Sequence, residues 1–308
     1  MPNDTMSTET PVDLATVLVD LFDQFQRHEN DETEIANDDL LQTTVANALQ
    51  AIQAHELSEG VSALSLATNR QQPSRSTVEE VSQALEQVWN CTLAYANNSS
   101  SSSFRSNGPS MRLLEVLAAV TVKLVAVRSD EDQNNSANKY DLVLEYLLKQ
   151  AVDASGVLLE RVRSTACRFL GFLVPHIMNL TTHHSWKNDM LDDICQTLIP
   201  RFTDKSQSVR HAAIDACRHF FDKDATDADL QQALVFAALH DPSISNRVAA
   251  LNVLPVNSVE TTQVMVSRVR DVKEKVRVAA LEVLQRQSLK SLDSDQCATL
   301  VESGLNHR

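Results

Sequence analysis

Apolar side chains recur along most of this sequence at spacings of three and four residues, the period of a helix with one buried face. In 12–28, "VDLATVLVDLFDQFQRH", Leu14, Val17, Leu18, Leu21 and Phe25 fall on one side. A second helix is predicted over 38–57 with Asp38 or Asp39 as N-cap, and a third over 76–96, opened by the capping-box spacing Ser76-x-x-Glu79. Polar runs interrupt the pattern. "NNSSSSSFRSNGPS" (97–110) is low in complexity and reads as a loop, as does "DEDQNNSAN" (130–138).

From about residue 140 the pattern repeats. Four segments align: "RVRSTACRFLGFL" (161–173), "SVRHAAIDACRHF" (208–220), "SNRVAALNVLPV" (245–256) and "KVRVAALEVLQR" (275–286). Each carries an arginine at its third position (Arg163, Arg210, Arg247, Arg277). Small residues follow at +2 and +3: Thr165/Ala166, Ala212/Ala213, Ala249/Ala250 and Ala279/Ala280. Apolar or thiol side chains stand at +4 and +7: Cys167/Leu170, Ile214/Cys217, Leu251/Leu254 and Leu281/Leu284. An aspartate precedes the arginine by six residues in three of the four (Asp204, Asp241, Asp271). Apolar stretches over 141–152, 189–202, 227–239 and 259–269 supply a partner helix for each. Irregular periods of paired helices define a HEAT or armadillo array. The fold class is therefore all-α, an α-solenoid of HEAT-type repeats. Residues 1–130 form an N-terminal helical region with an acidic tail, and 131–308 the repeats.

In this reading the second helix of each pair, the B-helix, uses its small residues to let an A-helix approach, and its +4 and +7 residues to extend the core. The aspartate in the turn is expected to cap the B-helix and to reach the arginine one turn in, with Arg-to-Asp contacts between repeats forming a ladder. Arg163, Arg210, Arg247, Arg277, Asp204, Asp241 and Asp271 are assigned to that structural duty.

Composition narrows the function classes. Only five glycines and eight prolines occur, and 5% of the chain is aromatic, which suits helices and leaves little for a phosphate-cradling loop. None of the nucleotide-loop, zinc-protease or nucleophile-elbow motifs is present. No apolar run is long enough to span a bilayer, and no secretory signal opens the chain. Five cysteines without a C-x-x-C pair (Cys91, Cys167, Cys195, Cys217, Cys297), each in an apolar helical setting, read as reduced core thiols. His183 and His184 are adjacent and so diverge by about 100° on a helix, which makes a loop the better reading than a metal site. Glu79/Glu80 and Asp192/Asp193 read as charges near helix N-termini. No catalytic residue, metal, cofactor, membrane contact or small-molecule substrate is expected. Thr10-Pro11 is a Thr-Pro pair in the acidic tail.

The net charge of −14 argues against wholesale nucleic-acid binding, yet it is unevenly placed: −12 falls in residues 1–110 and −2 in the rest. Within 268–290 seven basic side chains face three acidic ones. Screening over roughly 8–10 Å lets such a stripe meet phosphate on an acidic chain. Arg268, Arg270, Lys273 and Lys275 are the candidate DNA contacts, through phosphate neutralisation without sequence readout. Lys149, Arg161, Lys205 and Lys290 are weaker ones. The competing reading is a solvated turn in which Glu274 pairs back to Arg270 or on to Arg277.

Residues 259–308 carry a short A-helix ending in "RVRDVKE", then "VR", a helix ending in "EVL", and a closing "GLNHR". In these features the chain resembles the condensin G subunit family (CAP-G), the HEAT-repeat subunit that binds the kleisin. "LLERVRSTACRFLGFLV", "LIPRFTDKSQSVRHAAIDA" and "LHDPSISNRVAALNVLP" fit the preceding repeats in collinear order, so the resemblance covers roughly 140–308. It implies the N-terminal portion of a longer solenoid in the nucleus and on chromosomes, with a cytoplasmic pool. It further implies a kleisin and an SMC pair as partners, double-stranded DNA as ligand, and a part in mitotic chromosome condensation. The alternative is a generic HEAT scaffold of phosphatase or transport type, holding a peptide in its concave groove.

Overall fold

The computed structural model describes residues 14, 16–21, 43–52, 75–98, 109–129, 140–180, 186–221, 228–286 and 292–306. Thr10-Pro11, Asp38 and Asp39, the serine run 99–103, the segment 130–138, His183, His184 and Lys290 lie outside the described residues. The chain divides into two compact units, Met1–Leu147 and Leu148–Arg308.

The first unit contains α1 (16–21), α2 (43–52), α3 (Arg75–Asn98) and α4 (Pro109–Ser129). On α3 the buried set Val81, Ala84, Leu85, Val88 and Trp89 follows the i, i+3, i+4, i+7, i+8 spacing of a single face, and α3 packs on α4. Periodicity alone predicts no element over 111–129. There α4 is buried nearly all round, from Leu113 through Val122, so no one-sided stripe marks it. Thr92 and Thr121 enter these cores by donating to the carbonyls four residues back, Val88 and Leu117.

The division between the units falls within α5 (Asp141–Ser155). The second unit continues with α6 (Glu160–Met178), α7 (Trp186–Leu198) extended by a 3-10 turn (Ile199–Thr203), and α8 (Gln207–Ala216) extended likewise (Cys217–Phe221). Then come α9 (Ala228–His240), α10 (Ile244–Val253), α11 (Val259–Arg268), α12 (Glu274–Gln285) and α13 (Ser294–Asn306). The B-helices stack in the order α6, α8, α10, α12. The A-helices α9, α11 and α13 stack beside them, with α9 packed on α10 and α11 on α12 within each pair. This is a two-layer HEAT-type solenoid, the all-α fold that the repeat implied.

Local chemistry sets the ends of these helices. A reciprocal box opens α11, Ser258 Oγ accepting from the Thr261 amide at 3.2 Å while Thr261 Oγ1 accepts from the Ser258 amide at 3.3 Å. Asp293 and Gln296 do the same for α13, at 2.7 and 3.1 Å. Asp192 and Asp193 are exposed in the second turn of α7, which begins at Trp186, and so sit further from the N-terminus than expected.

The B-helix core follows the aligned positions, except at Ala249 on α10, which is half-buried, and at Leu281. Ala166, Cys167 and Leu170 on α6, Ala212, Ala213, Ile214 and Cys217 at α8, and Ala250 and Leu251 on α10 are fully buried. Leu281 on α12, placed in the core by the same alignment, is 45% exposed, because among the described residues no further B-helix covers it. The small residues also serve a contact not foreseen. Gly171 on α6 lies against Ala216 on α8, where a Cβ would come within 2.6 Å of the Ala216 Cα, so the close approach joins successive B-helices. Pro175 in the same helix lacks the amide that would meet the Gly171 carbonyl, and α6 continues past it to Met178.

Candidate functional site

The turns between A- and B-helices are built to one plan. Asp204 Oδ1 accepts from the Ser206 amide, Asp241 Oδ1 from the Ser243 amide and Asp271 Oδ1 from the Lys273 amide, each at 2.8 Å. These are Asx turns that shape the entry. The residues donating these amides are themselves the N-caps, so the aspartates do not cap the helices directly. The arginine six residues on returns to the turn through the backbone: Arg210 Nη1 donates to the Asp204 carbonyl at 2.8 Å, Arg247 to Asp241 at 2.9 Å and Arg277 to Asp271 at 3.0 Å. Arg163 makes the same bond to the Val157 carbonyl at 3.0 Å, where the aspartate is missing.

The carboxylates face backwards to the preceding repeat. Arg163 donates from Nε and Nη2 to Asp204 at 2.8 and 2.9 Å, and Arg210 to Asp241 at 2.7 and 3.2 Å. Arg247 reaches Asp271 through Nη2 alone, at 3.3 Å. A second polar or cationic side chain stands beside each carboxylate. Arg201 lies 3.8 Å from Asp204, Arg268 bonds Asp271 at 3.2 Å, and Asn246 Nδ2 bonds Asp241 at 3.2 Å. Burial alone would raise the Asp204 and Asp241 carboxyls. The arginine forks, the turn amides and, for Asp241, Asn246 outweigh it and hold both below the ordinary carboxylate value. Arg210 is raised, chiefly by its bond to Asp241.

The helix starts carry a further tier. Ser208, two residues past its N-cap Ser206, donates to Glu160 Oε1 at 2.6 Å, and that bond foremost lowers the Glu160 carboxyl. Gln207 Nε2 reaches Ser245 Oγ at 3.1 Å, and Ser245 stands two past its N-cap Ser243. At α12 the same two places hold Lys273 and Lys275. Both are exposed, and neither side chain is bonded to a described residue. Ile244, at the place from which Gln207 bonds Ser245, offers Lys275 nothing polar.

The four candidate DNA contacts thus separate. Arg268 is half-buried against Asp271 and the Leu239 carbonyl. Arg270 donates to Glu302 Oε2 at 2.8 Å and to Ser303 Oγ at 3.3 Å. Glu274, the partner expected for Arg270 or Arg277, is taken by neither; their partners come from α13 and from the turn carbonyls instead. Lys273 and Lys275 remain open to solvent at a helix N-terminus, where the backbone already favours an anion. Missed in the sequence were Arg201 and Arg268 as second cationic partners of the aspartates, though Arg-x-x-Asp at the end of an A-helix is a visible spacing in both.

Other chemistry is sparse among the described residues. No group of three or more metal-ligating side chains converges, and no helix is long and apolar enough to cross a membrane. None of the five cysteines is in a disulfide. Cys167, Cys195 and Cys217 are buried, Cys297 is half-buried, and Cys91 is exposed rather than in the core. Burial pushes the Cys167 thiol up to about 12. An open cavity of about 510 Å³ lies between the starts of α9 and α11, lined by Gln231, Gln232, Val235, Asn257, Ser258 and Glu260 among others.

No family model matches the chain. Over 181 residues it is 26% identical to Condensin complex subunit 3 of Xenopus laevis, a stretch covering 58% of this chain and 17% of that protein. The chain resembles a condensin HEAT-repeat subunit. Its fold also matches the crystal structure of the S. pombe condensin Cnd3-Cnd2 subcomplex with a TM-score of 0.59 over 94% of this chain, at 18% identity. The match spans 30% of the S. pombe chain, so this sequence corresponds to less than a third of either relative.

Proposed function

We infer that the chain acts as a non-enzymatic HEAT-repeat subunit of condensin, of the G-subunit type and from its N-terminal portion. It binds the kleisin, works with the SMC pair, contacts double-stranded DNA and contributes to mitotic chromosome condensation in the nucleus. Similarity to a condensin subunit over 181 residues, together with a fold like that in the Cnd3-Cnd2 subcomplex, supports the partner reading.

The DNA reading rests on one observation. Where two preceding repeats carry Ser-x-Ser at the start of the B-helix, α12 carries Lys273-x-Lys275, uncommitted and exposed at a positive helix end. Cations there oppose the helix dipole and gain little structurally, whereas a phosphate draws on both lysines and the free amides. Glu274 between them moderates the field and does not abolish it. In binding titrations on duplex DNA, Lys273→Glu/Lys275→Glu is expected to weaken affinity at least tenfold in low salt. It should also reduce the salt slope by about 1–2, near 0.9 for each phosphate no longer neutralised. An unchanged slope would contradict the assignment.

A second reading, a peptide-binding adaptor, draws on the amide-lined cavity between α9 and α11, where Gln231, Gln232 and Asn257 could pair with an extended backbone. Such a scaffold would not bind duplex DNA appreciably at physiological salt.

A further inference from the structure

The neighbouring A-helices α9 and α11 are pinned at their C-terminal ends, where Arg268 Nη1 donates to the Leu239 carbonyl at 3.3 Å. At their N-terminal ends they leave the open cavity of about 510 Å³, a volume in the range of ligand sites. Gln231, Gln232 and Asn257 line it, and no hydrogen bond joins any of these three carboxamides to a described residue. The next cleft between A-helices is closed. There Gln296 on α13 donates from Nε2 to Gln263 Oε1 on α11 at 3.4 Å. Gln263 is the fifth residue of α11, and Gln232 is the fifth of α9. The place of Gln296, third in its helix, falls in α11 on Thr261, which turns back to Ser258 and is fully buried. Gln232 therefore lacks the partner that its counterpart has, and lines an opening instead.

The lining defines what fits. A carboxamide offers both a donor and an acceptor, the complement of a peptide group. Gln231 and Gln232 on one wall and Asn257 on the other can hold an extended main chain from both sides, while Ala228 and Val235 admit a small apolar side chain. Phe236, one turn beyond Gln232 on the same face of α9, is 56% exposed, and Val259, next to Glu260, is 81% exposed. Glu260 alone is charged among the residues lining the cavity, and no described cation pairs with it. A phosphate would meet that carboxylate and no compensating cation. We propose that this cleft binds an extended peptide segment of a partner protein, with its main chain against the three carboxamides and a lysine or arginine side chain on Glu260. The proposal rests on the peptide-binding reading of this cavity given above, to which it adds the class of peptide, and it does not depend on the DNA reading.

The test selects short random peptides displayed on phage against the immobilised full chain, and repeats the selection on the Glu260→Lys variant. Synthetic copies of the recovered peptides are then titrated against the parent, Glu260→Lys and Gln232→Ala/Asn257→Ala. All three positions are exposed, so the variants are expected to keep the parent's thermal midpoint. The parent is expected to recover peptides that share a lysine or arginine, and Glu260→Lys to recover aspartate or glutamate in its place. Both variants should bind the parent's peptides at least about fivefold more weakly. Peptides without a basic residue that still lose affinity in Gln232→Ala/Asn257→Ala would overturn the basic class and leave the peptide-binding reading standing. Recovery of no peptide, or of peptides that bind parent and variants alike, would overturn both.

Discussion

Arg163 and Asp204 lie 41 residues apart in sequence, yet two hydrogen bonds of 2.8 and 2.9 Å join them, with side chains only 5% and 7% exposed. The same guanidinium also holds the Val157 and Leu158 carbonyls of its own turn. One side chain thus shapes the entry to its helix and fixes the position of the next repeat. Array proteins gain their stability from such nearest-neighbour terms.

Removing one partner of a buried rung strands the other charge. Arg210→Ala is expected to cost about 3–5 kcal/mol, and Asp241→Asn somewhat less, since the amide still accepts one bond. Replacing both Arg210 and Asp241 by leucine should cost less than either single loss of charge. Arg218→Ala, which breaks the exposed pair with Asp215, should cost about 0–1 kcal/mol. Denaturant unfolding of the four variants checks the order, and equal losses in Arg210→Ala and Arg218→Ala would contradict it.

Gly171→Ala should normally gain about 1 kcal/mol within a helix. Here the added methyl would meet Ala216 Cα at 2.6 Å and Cβ at 2.7 Å, so overpacking of about 1–3 kcal/mol outweighs the gain. A lowered thermal midpoint is expected. Adding Ala216→Gly should recover part of it, even though glycine alone at that place destabilises the helix.

Asp204 and Asp241 have folded-state values below the ordinary 3.8, so the folded state binds fewer protons than the unfolded one near that pH. Their contribution is complete above about pH 4 and is lost as the pH falls through the lower folded values. The Asp204→Asn/Asp241→Asn variant should therefore be less stable than the parent at pH 5–7, with the gap closing below about pH 4. A gap that stays constant down to about pH 2.5 would show that the two carboxylates do not carry the effect.

The repeat was legible because its residues recur: an arginine, an aspartate six before it, small residues after it. Periodicity does not say what each group bonds. Asp204 accepts a turn amide and a foreign arginine rather than capping its helix, a choice that depends on where the preceding repeat sits. Arg268 and Arg270 look like Lys273 and Lys275 in sequence and differ only in what lies across from them, Asp271 and Leu239 for the first, Glu302 and Ser303 for the second. The replacement of Ser-x-Ser by Lys-x-Lys could have been read from the aligned repeats two residues before the segments compared. The helix α4 escaped because burial on all sides leaves no stripe, and Cys91 and Leu281 because exposure depends on neighbours distant in sequence.

The most direct test of the functional account is to purify the tagged protein from mitotic cells and identify by mass spectrometry what accompanies it. Co-purification of an SMC pair and a kleisin is the expected result. Recovery of a phosphatase or transport assembly without them would contradict it, and Lys273 and Lys275 would then mark only a solvated helix start.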